Sequence, residues 1–124
     1  MGDPIRVVVV DDQQMVRAGF RMVIDSQPDL TVVGEAGDGA SAVQLLRSTP
    51  ADVVLMDIRM PGTDGIEVAR IAAAKTPELR IMFITGFAAV ALSAGTRAPQ
   101  GAKVLSKPVH LREIVSEVER MIAA

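Results

Sequence analysis

Five residues stand where chemistry could be done. Asp11 and Asp12 directly follow the apolar run "IRVVVV" (5–10), and Asp57 directly follows "DVVLM" (52–56). Thr85 closes "RIMFIT" (80–85), and Lys107 follows "AKVLS" (102–106), just ahead of Pro108. Three carboxylates brought together cannot all stay charged without compensation: a pKa rises or a cation binds. A hard divalent ion suits oxygen donors, and Mg²⁺ typically uses one or two carboxylates, several waters and a phosphate. Lys107 adds a positive charge and Thr85 a hydroxyl. A cation, a lysine and a hydroxyl around one carboxylate suit developing phosphoryl charge. Carboxylates are also nucleophiles toward phosphoryl groups. Asp57 alone reads as a solvated strand end; beside the other four it reads as a phosphoryl acceptor.

That chemistry requires the five to share one edge of a sheet. Five β-like runs (5–10, 30–36, 52–56, 80–85 and 102–106) alternate with amphipathic segments. Val16, Phe20, Val23 and Ile24 recur at helical spacing in 13–25, Ala42, Val43 and Leu46 in 40–47, and Ile66, Ala69 and Ala73 in 65–75. In 110–122, Leu111, Ile114, Val115, Val118, Met121 and Ile122 form one stripe, with Arg112, Glu113, Glu117, Glu119 and Arg120 mostly opposite. Pro28, Pro50, Pro77 and Pro99 fall between elements. The fourth helical segment, 87–97, is weak: it is Ala-rich and holds Gly95, which costs about 1 kcal/mol relative to Ala in a helix. Strands alternating with helices imply right-handed crossovers and a parallel sheet covered on both faces. In the strand order 2-1-3-4-5, one of the two common doubly wound orders, the first and third strands are neighbours. Asp11, Asp12 and Asp57 then converge outside the carboxyl ends of the strands, where ligands bind in such sheets.

The bulk properties narrow the function. A chain of 124 residues suits one domain, and 49% hydrophobic with 23% charged residues is enough for a core. We expect a single domain over 1–124, with its core in about 5–122 and no DNA-binding output domain. No apolar run approaches ~18 residues, so no membrane span is expected. "MGDPIR" lacks the shape of a signal peptide, and a cytoplasmic location is the default. The absence of Cys excludes disulfides and thiolate chemistry. A net charge of −2, with no Trp or Tyr to stack on bases, argues against direct nucleic acid binding.

"VVDD" (9–12), "LMDIRMPGTDG" (55–65), "FITG" (83–86) and "LSKP" (105–108) together give a specific resemblance. Over its whole length the chain resembles the receiver domain of two-component response regulators. The resemblance implies an α/β, CheY-like (flavodoxin-like) doubly wound five-stranded parallel sheet, order 2-1-3-4-5, with five helices. It places the phosphoacceptor on Asp57 and the metal site on Asp11, Asp12, Asp57 and the backbone carbonyl of Arg59, with Mg²⁺ as cofactor. It places the switch hydroxyl on Thr85, the phosphate-binding lysine on Lys107, and a cis peptide bond before Pro108. Arg59 and Phe87 occupy positions that tune the lifetime of the phosphorylated form. The implied partners are a sensor histidine kinase or a small phosphodonor, and a downstream protein on the face of the fourth helix, fifth strand and fifth helix. That face is also a candidate homodimer face. The domain is not a turnover enzyme; it catalyses only its own phosphorylation and dephosphorylation.

Two positions depart from the pattern. The family's switch aromatic, three residues before the lysine, is Val104 here, and "TRAPQGAK" stands where an Ala-Gly-Ala turn is usual. The halves also resemble different branches. Residues 5–65 are similar to NarL/FixJ-type receivers, and 66–124 to CpdR-type stand-alone receivers. From this split we expect a chimera, an engineered or recombined chain.

Rival readings fit less well. A haloacid-dehalogenase-type phosphatase wants a second Asp two residues after its nucleophile, where this chain has Arg59. A flavodoxin-like FMN binder wants a Ser/Thr/Gly-rich loop after the first strand, where "DDQQM" would repel a phosphate. A docking scaffold that no longer switches is kept open by Val104. Asp38 and Asp64 read as turn residues or N-caps. Gln13 and Gln14 start the first helix, with Gln13 close to the site. His110 reads as a surface residue, and the seven Met residues as core filler.

Overall fold

The computed structural model describes residues 3–60, 62–85, 102–106 and 111–123. The elements run β1 (Ile5–Val10), α1 (Gln14–Asp25), β2 (Leu30–Ala36), α2 (Gly39–Ser48), β3 (Val53–Asp57), β4 (Arg59–Met60), β5 (Thr63–Asp64), α3 (Gly65–Lys75), β6 (Arg80–Thr85), β7 (Lys103–Ser106) and α4 (Leu111–Ala123). Five strands form one parallel sheet in the order β2-β1-β3-β6-β7, the expected 2-1-3-4-5 arrangement. There are four helices among the described residues rather than five. The expected helix over 87–97 lies outside them, as do Phe87, Lys107, Pro108 and His110.

The continuous apolar strands follow from burial on both faces. Val8, Val10, Val54, Met56, Ile81 and Phe83 pack toward α2 and α3. Their alternates Val7, Val9, Val53, Leu55, Met82 and Ile84 pack toward α1 and α4. Phe20 and Ile24 seat α1, while Ile114, Val115 and Val118 seat α4. Asp38 and Asp64 are both N-caps: their carboxylates accept from the Ser41 N–H at 2.8 Å and the Ile66 N–H at 2.9 Å. The Ser41 backbone N–H and hydroxyl hold the Asp38 carboxyl below its ordinary pKa.

Two expectations need correction, and one element is new. Met56, Met60 and Met82 are core filler, but Met15 and Met22 are 88% and 74% exposed. They lie seven residues apart on the outer side of α1, away from the face that buries Phe20 and Ile24. Glu117 is buried rather than solvated; it pairs with Arg120 at 2.6 Å and with Lys103 of β7 at 3.9 Å. The antiparallel pair β4–β5 is a further element, too short to carry a period in the sequence. Gly62 supplies the left-handed turn within it, at φ +68°.

At the amino-terminal edge of the sheet, Asp52 ties three strands together. Its carboxylate accepts from the Arg6 N–H at 2.8 Å and from the Arg6 guanidinium at 3.0 and 3.1 Å. Its backbone N–H donates to the Arg6 carbonyl, and its carbonyl accepts from the Arg80 N–H. The hydrogen bond from the Arg6 side chain, aided by the Arg6 N–H and charge, holds the Asp52 carboxyl below its usual range. A depressed folded-state pKa gives stability that is present above the unfolded value, ~3.9, and lost as pH falls through the folded one. Asp52→Asn is therefore expected to lower the unfolding free energy by about 0.5–1 kcal/mol at neutral pH, discounted for partial exposure. Denaturant titrations of both proteins against pH should show the difference vanishing in acid.

No described helix is long and apolar enough to cross a membrane.

Candidate acidic site at the strand ends

The register brings the site together. Val10 of β1 lies opposite Met56 of β3, so the next residue on each chain is Asp11 and Asp57. Asp57 lies opposite Ile84, which puts Thr85 one step beyond on β6. Thr85 lies opposite Ser106, so the chain leads from β7 into Lys107, itself outside the described residues. Thr85 is fully buried and Asp11 is 2% exposed; Asp57 is half-buried and Asp12 exposed.

Asp11 is fixed from three directions. Its N–H donates to the Ala36 carbonyl at 3.1 Å, its Oδ1 accepts from the Gln13 N–H at 2.9 Å, and its carbonyl accepts from Arg17 Nη1. Gln13 thus touches the site through its backbone. One carboxylate oxygen from each of Asp11, Asp12 and Asp57 lies within 4.8 Å of the others. Mg²⁺ binds oxygens at ~2.1 Å in an octahedron, which puts cis ligands about 3.0 Å apart and trans ligands about 4.2 Å apart, so these hard oxygens are of the right kind for Mg²⁺ and would draw closer together around it.

The segment after Asp57 folds back on itself. Arg59 pairs with Asp64, and Met60 with Thr63. The Gly65 N–H donates to the Ile58 carbonyl at 2.7 Å. A Cβ on Gly65 would run into the Asp57 carbonyl oxygen and lie 3.0 Å from Ile58 Cα. Val104 pairs with Phe83 and is partly buried against the α2–α3 side of the core. The position where an aromatic was expected is therefore aliphatic and packed.

Sequence reasoning missed two residues here. Gly65 was hidden inside "GTDG", where the Asp-Gly pair reads only as a helix start. Arg17 stands three and seven residues before the buried Phe20 and Ile24, where a charge is unusual, and that placement is its only signal in the sequence. A cleft of about 290 Å³ between α2 and α3 includes Leu46, Arg47, Ile71, Lys75 and Leu79 in its lining, with no carboxylate among its lining residues. It lies away from the acidic strand ends.

The sequence profile of the response regulator receiver domain matches residues 7–119. The chain belongs to this family. It is 56% identical over 87 residues to the response regulator receiver protein CpdR of Brucella abortus (strain 2308), covering 70% of this chain and 72% of that protein. It is 39% identical over 114 residues to the response regulator UvrY of Escherichia coli (strain K12), covering 92% of this chain and 52% of UvrY. The chain thus spans about half of that relative. Among solved structures, it matches the signal receiver domain of the putative response regulator NarL from Mycobacterium tuberculosis with a TM-score of 0.80. That match has 35% identity and covers 96% of both chains. Since UvrY alone spans 92% of this receiver domain, likeness to two branches does not require a recombined chain. Receiver domains of two-component systems accept a phosphoryl group on an aspartate and bind Mg²⁺ through acidic residues. They are switch modules rather than turnover enzymes.

Proposed function

We propose that Asp57 is the phosphoryl acceptor of this receiver domain, with Mg²⁺ held by Asp11, Asp12, Asp57 and the backbone carbonyl of Arg59. The observation that carries this reading is the approach of the three carboxylates to within 4.8 Å at the carboxyl ends of β1 and β3. Bound Mg²⁺ would supply positive charge beside the transferring phosphoryl oxygens. A carboxylate oxygen of Asp57 attacks phosphorus. The new O–P bond forms as the donor's bond to phosphorus breaks, and the electron pair leaves with the donor. The donor is a phosphohistidine of a sensor kinase or a small acyl phosphate. Attack of water on phosphorus later returns phosphate and the free carboxylate, and Arg59 and Phe87 tune that rate. Thr85 and Lys107 take phosphoryl oxygens, so the added charge of about −2 draws the ends of β6 and β7 inward.

The output is a changed protein-binding face made by residues 87–97, β7 and α4, and a second copy of the chain is one candidate partner there. The buried Glu117, paired with Lys103, couples β7 to α4 across this face. The receiver domain over 1–124 acts in the cytoplasm through this face.

Incubation with acetyl phosphate and Mg²⁺, followed by intact-protein mass measurement, tests this. A gain of about 80 Da, one phosphoryl group, is expected for the wild type. It should be lost in Asp57→Ala and when Mg²⁺ is chelated. A gain that survives Asp57→Ala would refute the assignment.

A further inference from the structure

We infer that Arg17 is a positioning residue for the acidic loop, clamping the Asp11 backbone to Glu35 so that the carboxylates are held ready for a divalent cation. This rests on the acceptor reading above. Arg17 Nη1 donates to the Asp11 carbonyl, while its Nε donates to Glu35 Oε1 at 3.2 Å. Glu35 is itself held by Arg21 through its second oxygen at 2.8 Å. The Arg17 side chain is only 18% exposed. Gly37 leaves room for it: a Cβ there would stand 3.2 Å from Nη1.

The clamp has a specific geometry. A guanidinium is planar and can serve two acceptors in one fixed fork, which a lysine ammonium does not do. Here one acceptor belongs to the loop that carries Asp11 and Asp12, and the other to β2. The loop is thereby tied to the edge of the sheet from the side opposite Asp57. Glu35 offsets the positive charge of Arg17, so the clamp adds little repulsion toward an incoming cation. Partners bonded to the ligating group itself typically alter metal affinity 10–100-fold when removed, and a contact to the ligand's backbone belongs at the low end of that range.

The test is Arg17→Met, which keeps most of the apolar stem and removes the fork. Isothermal calorimetry with Mg²⁺ alone reads the affinity, and circular dichroism checks the fold. Phosphorylation by acetyl phosphate is then followed across Mg²⁺ concentrations. Affinity is expected to fall about tenfold. The Mg²⁺ needed for half-maximal rate should rise in step, while the maximal rate at saturating Mg²⁺ stays within about twofold. Glu35→Gln, which loosens the clamp without removing it, should shift affinity the same way by less, and it carries the test if Arg17→Met does not fold. Unchanged or tighter Mg²⁺ binding in folded variants would overturn the inference and leave Arg17 as a brace between α1 and β2. A wild-type protein that binds no Mg²⁺ would instead take down the acceptor reading and the clamp with it.

Discussion

Gly65→Ala is expected to lower the unfolding free energy by about 1–3 kcal/mol and to abolish most phosphorylation by acetyl phosphate. The new Cβ would meet the Asp57 carbonyl oxygen, Ile58 Cα at 3.0 Å and the Asp57 carbonyl carbon at 3.2 Å. These are backbone atoms at the end of a buried strand, so no flexible side chain can swing aside. Either α3 retreats and loses the Gly65–Ile58 hydrogen bond, or the end of β3 shifts and takes Asp57 with it. The gain in helix propensity, at most ~1 kcal/mol, offsets only part of this. Gly62→Ala is the contrast. Nothing lies within 4 Å of its Cβ position, but φ is +68°, so its cost is about 1 kcal/mol of backbone strain. Gly62→Ala should lose stability and keep the reaction. Denaturant unfolding and phosphorylation kinetics on the two variants separate the effects. Equal activities would mean that Gly65 does not position Asp57.

The second large effect concerns the acidic cluster itself. Even at the 4.8 Å upper limit of this cluster, two unit charges interact with roughly 1 kcal/mol in water and about 3.5 kcal/mol at an effective dielectric of 20. Removing one charge should therefore stabilise the metal-free protein while weakening the site, a trade of stability against function. Asp12→Asn is expected to raise the unfolding free energy by about 1 kcal/mol without Mg²⁺, near the water value because Asp12 is exposed. Asp11→Asn keeps an oxygen for the Gln13 N–H, so the loop geometry is preserved while the charge is lost. In the double variant Mg²⁺ should no longer raise the melting temperature, whereas in the wild type it should, by mass action. Thermal unfolding with and without millimolar Mg²⁺ reads both changes. A double variant still stabilised by Mg²⁺ would place the cation elsewhere.

Much of this was legible in the sequence, for physical reasons. Strands buried on both faces read as unbroken apolar runs, so β1 and β6 match their expected bounds residue for residue, and the half-buried edge strand β2 matches them on a weaker apolar run. Asp11, Asp12, Asp57 and Thr85 were recognisable because each interrupts or closes such a run. What escaped depends on tertiary placement. Met15 and Met22 carry the composition of a core but fall on the outward side of α1. Glu117 looks solvated until Lys103 of another element reaches it. Gly65 matters because of what its missing side chain would strike, and Arg17 because of a carbonyl it meets across the fold. Periodicity cannot report either.

The most direct measurement is to locate the phosphoryl group. The chain is treated with acetyl phosphate and Mg²⁺, reduced with borohydride, which converts an acyl phosphate to an alcohol, and digested for tandem mass spectrometry. Homoserine is expected at position 57 and at no other aspartate. Homoserine at Asp11 or Asp12, or a phosphate that resists borohydride and maps to another residue, would contradict Asp57 as the acceptor.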